Sequence, residues 1–155
     1  YRKAAEQGHA GGQLNLGLMY KHGDGVQQSY KEAEAWFRKA AEQGSAQGQA
    51  NLGVMYEKGD GVLQDYAEAQ RWYQLAAAQG YEPAWGQLAL MYEKSDRVRA
   101  YMWLSLLATL SSDANRSGPA REGRDDVASH MTADEIKQAQ KLARRCQDTK
   151  FKDCG

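Results

Sequence analysis

Small and bulky apolar side chains recur along this chain at helical spacing, and the whole arrangement returns every 36 residues. Residues 1–36 read YRKAAEQGHAGGQLNLGLMYKHGDGVQQSYKEAEAW, and residues 37–72 read FRKAAEQGSAQGQANLGVMYEKGDGVLQDYAEAQRW, in register and without a gap. A third copy starts at Tyr73, reaches LALMY at 88–92, and loses five residues before Trp103. In the second copy the period predicts helix A from about Ala46 to Lys58 and helix B over about 65–79. Two helices per copy at a fixed period predict an all-α fold, a solenoid of helical hairpins.

The punctuation agrees with the period. Asp65-Tyr66-Ala67-Glu68 and Ser29-Tyr30-Lys31-Glu32 have capping-box spacing and open helix B. Gly23-Asp24-Gly25-Val26 and Gly59-Asp60-Gly61-Val62 separate helix A from helix B, and Gly8, Gly44 and Gly80 close helix B. These glycines do not form a phosphate loop: the Lys-Ser/Thr pair and the three-glycine fingerprint are missing, and a helix precedes them where a strand is needed. Asp24 and Asp60 have no further acidic residues at calcium-loop spacing. Glycine at 17 and 53, in mid-helix, costs about 1 kcal/mol relative to alanine, so a close approach to helix B or to the next copy is expected there. Leu16, Leu52, Leu88, Tyr20, Tyr56, Tyr92, Trp36, Trp72 and Trp103 recur at the same period and are expected in the core. A buried indole N–H needs an acceptor, and a carbonyl of an inter-helix turn is the expected one.

The period divides the chain into repeats over 1–110, namely the end of a preceding unit at 1–8, units at 9–44 and 45–80, and a shortened unit at 81–110. Residues 111–155 are expected to form capping helices and a tail. Residues 98–110 make an unusually apolar helix, 111–118 are polar and turn-like, and Pro119 is expected to open a short helix ending near Ser129. Thr132-Ala133-Asp134-Glu135 is a further capping box, starting a final helix that runs to about Cys146. That helix has an apolar stripe and a charged outer face, as a terminal cap requires. Tyr1 falls inside a helix-B position, as though the chain were cut from a longer one, so the missing signal peptide says little about compartment.

Composition narrows the function. Lys plus Arg and Asp plus Glu balance at 20 each. Lys137, Lys141, Arg144, Arg145, Lys150 and Lys152 cluster near the end, as a solvated face or a contact for an acidic partner. No apolar run approaches the roughly 20 residues of a membrane span, so no direct membrane insertion is expected. The repeats are slightly acidic, which disfavours nucleic acid. His9, His22 and His130 are scattered and sit in no nucleophile, zinc or kinase motif, so neither an enzyme nor a cofactor is expected. Cys146 and Cys154 are positioned either to form a disulfide that ties down the end or to remain two thiols.

The motif Asn51-Leu52-Gly53, Tyr56, Gly59-x-Gly61-Val62, Asp65-Tyr66, Ala69, Trp72-Tyr73, Ala76-Ala77-x-Gln79-Gly80 resembles the Sel1-like repeat, a relative of the tetratricopeptide repeat. The first copy matches through Asn15-Leu16-Gly17, Tyr20, Gly23-x-Gly25-Val26 and Trp36-Phe37, and the resemblance covers residues 1 to about 110. The close of the chain, from Met131 to Ala143, is similar to the C-terminal caps of bacterial members. The third copy departs from the pattern, with Glu93-Lys94-Ser95-Asp96 in place of the GxGV turn. The resemblance implies a right-handed α/α superhelix used as a scaffold or adaptor for a protein or peptide partner. For bacterial members it implies a periplasmic or secreted location, with a cytoplasmic one as the alternative, and roles in envelope signalling, regulation or host contact. Some cysteine-rich relatives are linked to β-lactam binding or hydrolysis, but their cysteines pair within repeats. The repeats here have none, which leaves a hydrolase acting on β-lactam or cell-wall material as a remote alternative.

A partner is expected on the concave surface lined by the A helices. Gln13, Gln49 and Trp85 are equivalent there, as are Asn15, Asn51 and Gln87. The asparagines are read either as recognition groups or as structural amides. Trp85 is read as an exposed anchor or as an indole swung into the space left where Gly86 replaces Leu14 and Ala50. Met55 and Met91, with Met19, form a ladder that is either core or a soft binding stripe. The rival to an adaptor is a structural spacer with no ligand, and the chain is expected as a monomer or weak homo-oligomer.

Overall fold

The computed structural model describes residues 2–154, and among them every regular element is helical. The helices are α1 (Arg2–Glu6), α2 (Ala10–His22), α3 (Tyr30–Glu42), α4 (Ala46–Lys58), α5 (Tyr66–Ala77), α6 (Glu82–Tyr92), α7 (Arg97–Leu110), α8 (Ala114–Ser129) and α9 (Ala133–Asp148). They pair as successive hairpins, an all-α solenoid arrangement without a strand among the described residues. The chain divides into an N-terminal body, residues 1–76, and a C-terminal body, residues 77–155.

In the N-terminal body the two full repeats fold alike. Helix α4 has the extent read from the sequence, and α5 begins one residue later and ends two earlier than the predicted 65–79. Helices α2 and α4 stop because Gly23 and Gly59 turn left-handed, at φ 80° and 76°, and donate back to Met19 and Met55. The start of helix B is capped on one side only: Ser29 accepts from the Glu32 amide, and Asp65 from those of Ala67 and Glu68. Gln28 and Gln64 each donate to a late helix-A carbonyl, on Lys21 and Glu57, at 2.8 Å.

The mid-helix glycines meet aromatic rings. A Cβ on Gly17 would lie 2.6 Å from the ring of Phe37, and one on Gly53 would lie 2.6 Å from the ring of Tyr73. Both rings are fully buried. Where Phe becomes Tyr the partner changes too: the Tyr73 hydroxyl donates to Glu57 at 2.6 Å, and Glu57 replaces Lys21 of the first repeat. Burial first, and then that hydrogen bond and the Glu57 charge, push the Tyr73 phenol far above its ordinary range.

Two expectations about tryptophan need correction. Trp36 is only half-buried and lies under the Lys39 ammonium, 4.0 Å from the ring centroid, so it borders the core. Trp72 is buried in the core with Leu14, Phe37 and Leu52, but its indole nitrogen meets no acceptor among the described residues.

The C-terminal body replaces the glycine turn with residues 93–96. Asp96 donates its amide to Tyr92 at 2.7 Å and caps α7 by accepting from the Arg99 amide. The apolar helix α7 buries Ala100, Met102, Trp103, Leu106, Leu107 and Ala108, and is covered by α6, α8 and α9.

The predicted turn over 111–118 is wrong. Helix α8 begins at Ala114 and holds Pro119 in its second turn. Asp113 caps it by accepting the Asn115 amide, while Ser111 and Arg116 bond Glu82 at the start of α6. These anchors hold a first turn ahead of the proline, whose missing N–H leaves one carbonyl without its intrahelical donor.

Helix α9 opens with the full capping box expected, and the Thr132 amide and hydroxyl hold the Glu135 carboxyl below its usual range. After α9 the chain folds back, joining Cys146 to Cys154 with their Cα atoms 4.5 Å apart. Closing so short a loop restricts the unfolded chain by about 2–3 kcal/mol. It also sets Phe151 against Trp85, ring centroids 4.9 Å apart.

Gly53→Ala should lower the melting temperature, because overpacking against a fixed ring costs about 1–3 kcal/mol against a helix-propensity gain of about 1 kcal/mol. Gly11→Ala, on α2 with nothing within 4 Å of the new methyl, should raise it. Alkaline titration tests the Tyr73 pair. Above about pH 10 the unfolded phenol loses its proton while the folded one keeps it. The native state then binds more protons, so stability falls as pH rises. Tyr73→Phe should reduce that alkaline loss in denaturant melts across this range.

Candidate protein-interaction site

Three of the residues expected to meet a partner instead hold the hairpins closed. Gln13, Gln49 and Trp85 are 5%, 6% and 2% exposed. Each side chain donates to the backbone carbonyl eight residues earlier: Gln13 to Ala5 at 3.4 Å, Gln49 to Ala41 at 3.2 Å, and Trp85 to Ala77 at 3.3 Å. Those carbonyls lie in the last turn of α1, α3 and α5, and each already accepts an amide from Gly8, Gly44 or Gly80. The A-helix side chain fills the second lone pair at the point where backbone acceptors run out of helical donors. Trp85 keeps the same bond as the two glutamines it replaces, and Gln13 also accepts from Gln43 at 2.6 Å.

The other candidates divide. Met55 is fully buried in the core, and Met91 is half-buried. Asn51 donates to the Gln47 carbonyl at 2.9 Å and accepts the Lys21 ammonium at 3.4 Å. Burial, and then the nearby Lys58 charge, hold Lys21 below its ordinary range, with Asp60 opposing. Asn15 is half-buried on α2. Gln87 lines an open cavity.

That cavity, about 510 Å³, is a groove in the C-terminal body between α6 and α8, over α7. Leu104 and Leu107 of α7 contribute to its lining, with Gly86, Gln87 and Leu90 from α6 and Ala120, Gly123 and Val127 from α8. Leu90 is 65% exposed, whereas the equivalent Leu18 and Val54 are half-buried. The glycines here differ from those of the N-terminal body. A Cβ on Gly86 would approach Leu107 only to 3.8 Å, and one on Gly123 would approach Leu104 only to 3.6 Å, both ordinary contacts. Packing does not require glycine at either place. The indole of Trp85 points to Ala77 and Phe151, so the room beside Gly86 stays open. Reading the sequence missed Gly86 and Leu90 as a pair. Only half of the signal was in the sequence: Gly86 departs from Leu14 and Ala50, whereas Leu90 repeats Leu18 and differs from it only in its exposure.

Among the described residues no group of three or more His, Cys, Asp or Glu side chains is placed to hold a metal, and no helix is long and apolar enough to cross a membrane. Paired helices repeated at fixed period, with an apolar groove on the last repeat, define a helical-repeat interaction scaffold. The sequence matches the Sel1 repeat over residues 1–9, 10–45, 46–81 and 86–112, and the chain belongs to that family. Its fold and repeats support the protein-interaction scaffold role typical of that family. It is similar to the Sel1 repeat protein from Oxalobacter formigenes, at 34% identity and TM-score 0.68 over 81% of this chain and 94% of that one. It is also similar to c5321, a protective antigen present in uropathogenic Escherichia coli strains and displaying an SLR fold. That match has 28% identity and TM-score 0.71 over 99% of this chain, which spans 41% of the antigen's length. No curated protein matches the chain.

Gln49→Leu should lower stability by about 1 kcal/mol, the usual worth of one hydrogen bond, while the same change at the exposed Gln47 leaves it unaltered. Thermal melts of the two variants check this. An unchanged melt at Gln49 would return that residue to the recognition candidates.

Proposed function

We propose that the chain is an adaptor that holds a protein or peptide partner in the α6–α8 groove. The observation carrying this reading is the pair of helix-interior glycines, Gly86 and Gly123, that no neighbour demands. Each costs about 1 kcal/mol relative to alanine, and together they keep apolar surface open beside the exposed Leu90. Gln13, Gln49, Asn51 and Trp85 of the A helices spend hydrogen bonds within the fold, so the groove is where contact area is available. A spacer would gain by filling it.

We place this adaptor in a bacterial periplasmic or secreted setting, in envelope regulation or host contact. The Cys146–Cys154 disulfide supports an oxidising space, and the likeness to a protective antigen of uropathogenic Escherichia coli supports the second role.

Gly86→Leu tests the reading without unfolding the protein. It restores the first repeat's residue on an open helix face, so the melt should hold or rise, by up to about 1 kcal/mol. Peptides selected on the wild-type protein from a displayed random library should lose affinity for the variant by about tenfold or more. Unchanged affinity for Gly86→Leu, or a library yielding no binder, would favour the spacer.

A further inference from the structure

The groove has two ends of different chemistry. Helices α6 and α8 run parallel. Glu82, the first residue of α6, bonds Arg116 near the start of α8 at 3.3 Å, while Glu93 at the end of α6 and Asp126 near the end of α8 both line the far end. At the first end the Glu82 carboxylate is answered, by Arg116 and by the Ser111 hydroxyl at 2.6 Å, and Arg116 also lies 3.4 Å from Asp113. At the second end Glu93 and Asp126 are exposed, and Arg116 is the groove's sole basic lining residue among those described. The C-termini of α6 and α8 add partial negative charge at that end, about half an elementary charge per helix. Lys94, Arg97 and His130 surround an adjoining hollow that shares Glu93, Asp126 and Val127, but they do not line the groove. Arg97 is turned to the His130 carbonyl at 3.4 Å.

Resting on the reading of the groove as the docking site, we infer that its occupant is an apolar peptide segment carrying an arginine or lysine at one end. The apolar side chains lie over Leu104 and Leu107, and the cation sits between the Glu93 and Asp126 carboxylates. A positive charge placed anywhere over the apolar floor would be desolvated without a partner. An anionic segment would meet two carboxylates and two helix C-termini. The groove follows α6, whose 11 residues span about 16 Å, which accommodates roughly five residues of extended chain.

The probes are two fluorescein-labelled pentapeptides of leucine, alanine and glycine, one with arginine first and one with arginine last. Their twins carry citrulline, which keeps the shape and loses the charge. Fluorescence anisotropy should show at least one arginine peptide binding about tenfold tighter than its twin, the order expected for a hydrogen bond to a charged group. The difference should shrink in high salt and vanish in Glu93→Gln/Asp126→Asn, while the citrulline twins bind that variant and the wild type alike. Arginine and citrulline peptides of equal affinity, both lost in Gly86→Leu, would overturn the cationic assignment and leave the groove as a docking site. Peptides that bind Gly86→Leu as well as wild type, or that do not bind at all, would overturn both.

Discussion

The two full repeats of the N-terminal body depend on one constraint: helix A must begin where the preceding helix B ends, with almost no distance between their backbones. At Gly12 an added Cβ would fall 2.7 Å from the Ala5 amide nitrogen, and at Gly48 it would fall 3.0 Å from that of Ala41. At so close an approach the terminal carbonyls of helix B are shut off from water, so a donor must be supplied from within. The side chains of Gln13, Gln49 and Trp85 supply it. At Gly12 and Gly48 steric closeness and hydrogen-bond completion are therefore one requirement, and at Ala84 the hydrogen bond alone recurs. The aromatic rings of Phe37 and Tyr73 against Gly17 and Gly53 set the second contact, and small residues at two levels fix how the pair of helices can pack.

The fold was legible because it is local and repeated. The period located the helices, glycines marked their ends, and the capping box at Thr132 located α9. The failures occur where repetition stops. Helix α8 was hidden because Pro119 is normally a helix opener, and the anchors that let a turn precede it, Ser111 and Arg116 on Glu82, lie 29 and 34 residues away in sequence. Trp36 was read as core because its equivalents are. Equivalence in sequence does not ensure equal cover, and a lysine lies over that indole.

The site was less legible, for a physical reason. A polar or aromatic side chain recurring on an A helix has the same signature whether it waits for a partner or satisfies its own backbone. Gln13 and Gln49 belong to the second kind, and Trp85 joins them despite its size. The groove is marked by missing side chains, and a missing side chain at one position means little without knowing what neighbours it. Gly17 and Gly86 are both glycines inside an A helix, although only the first recurs at the repeat period. Recurrence at Gly53 hints at the difference, and the distance to the nearest ring or methyl, 2.6 Å against 3.8 Å, establishes which glycine the packing needs and which leaves space.

The tail has a consequence for how the C-terminal body responds to its surroundings. Phe151 rests on the indole of Trp85, and Phe151 is held there in a left-handed backbone conformation, at φ 66°, inside the loop clasped by Cys146 and Cys154. Thiol exchange at the chain's last residues therefore reaches the first hairpin contact of this body, nearly seventy positions upstream. Electron donors in the surrounding medium would act on the seating of α6 without touching it, through the grip of a single phenyl ring.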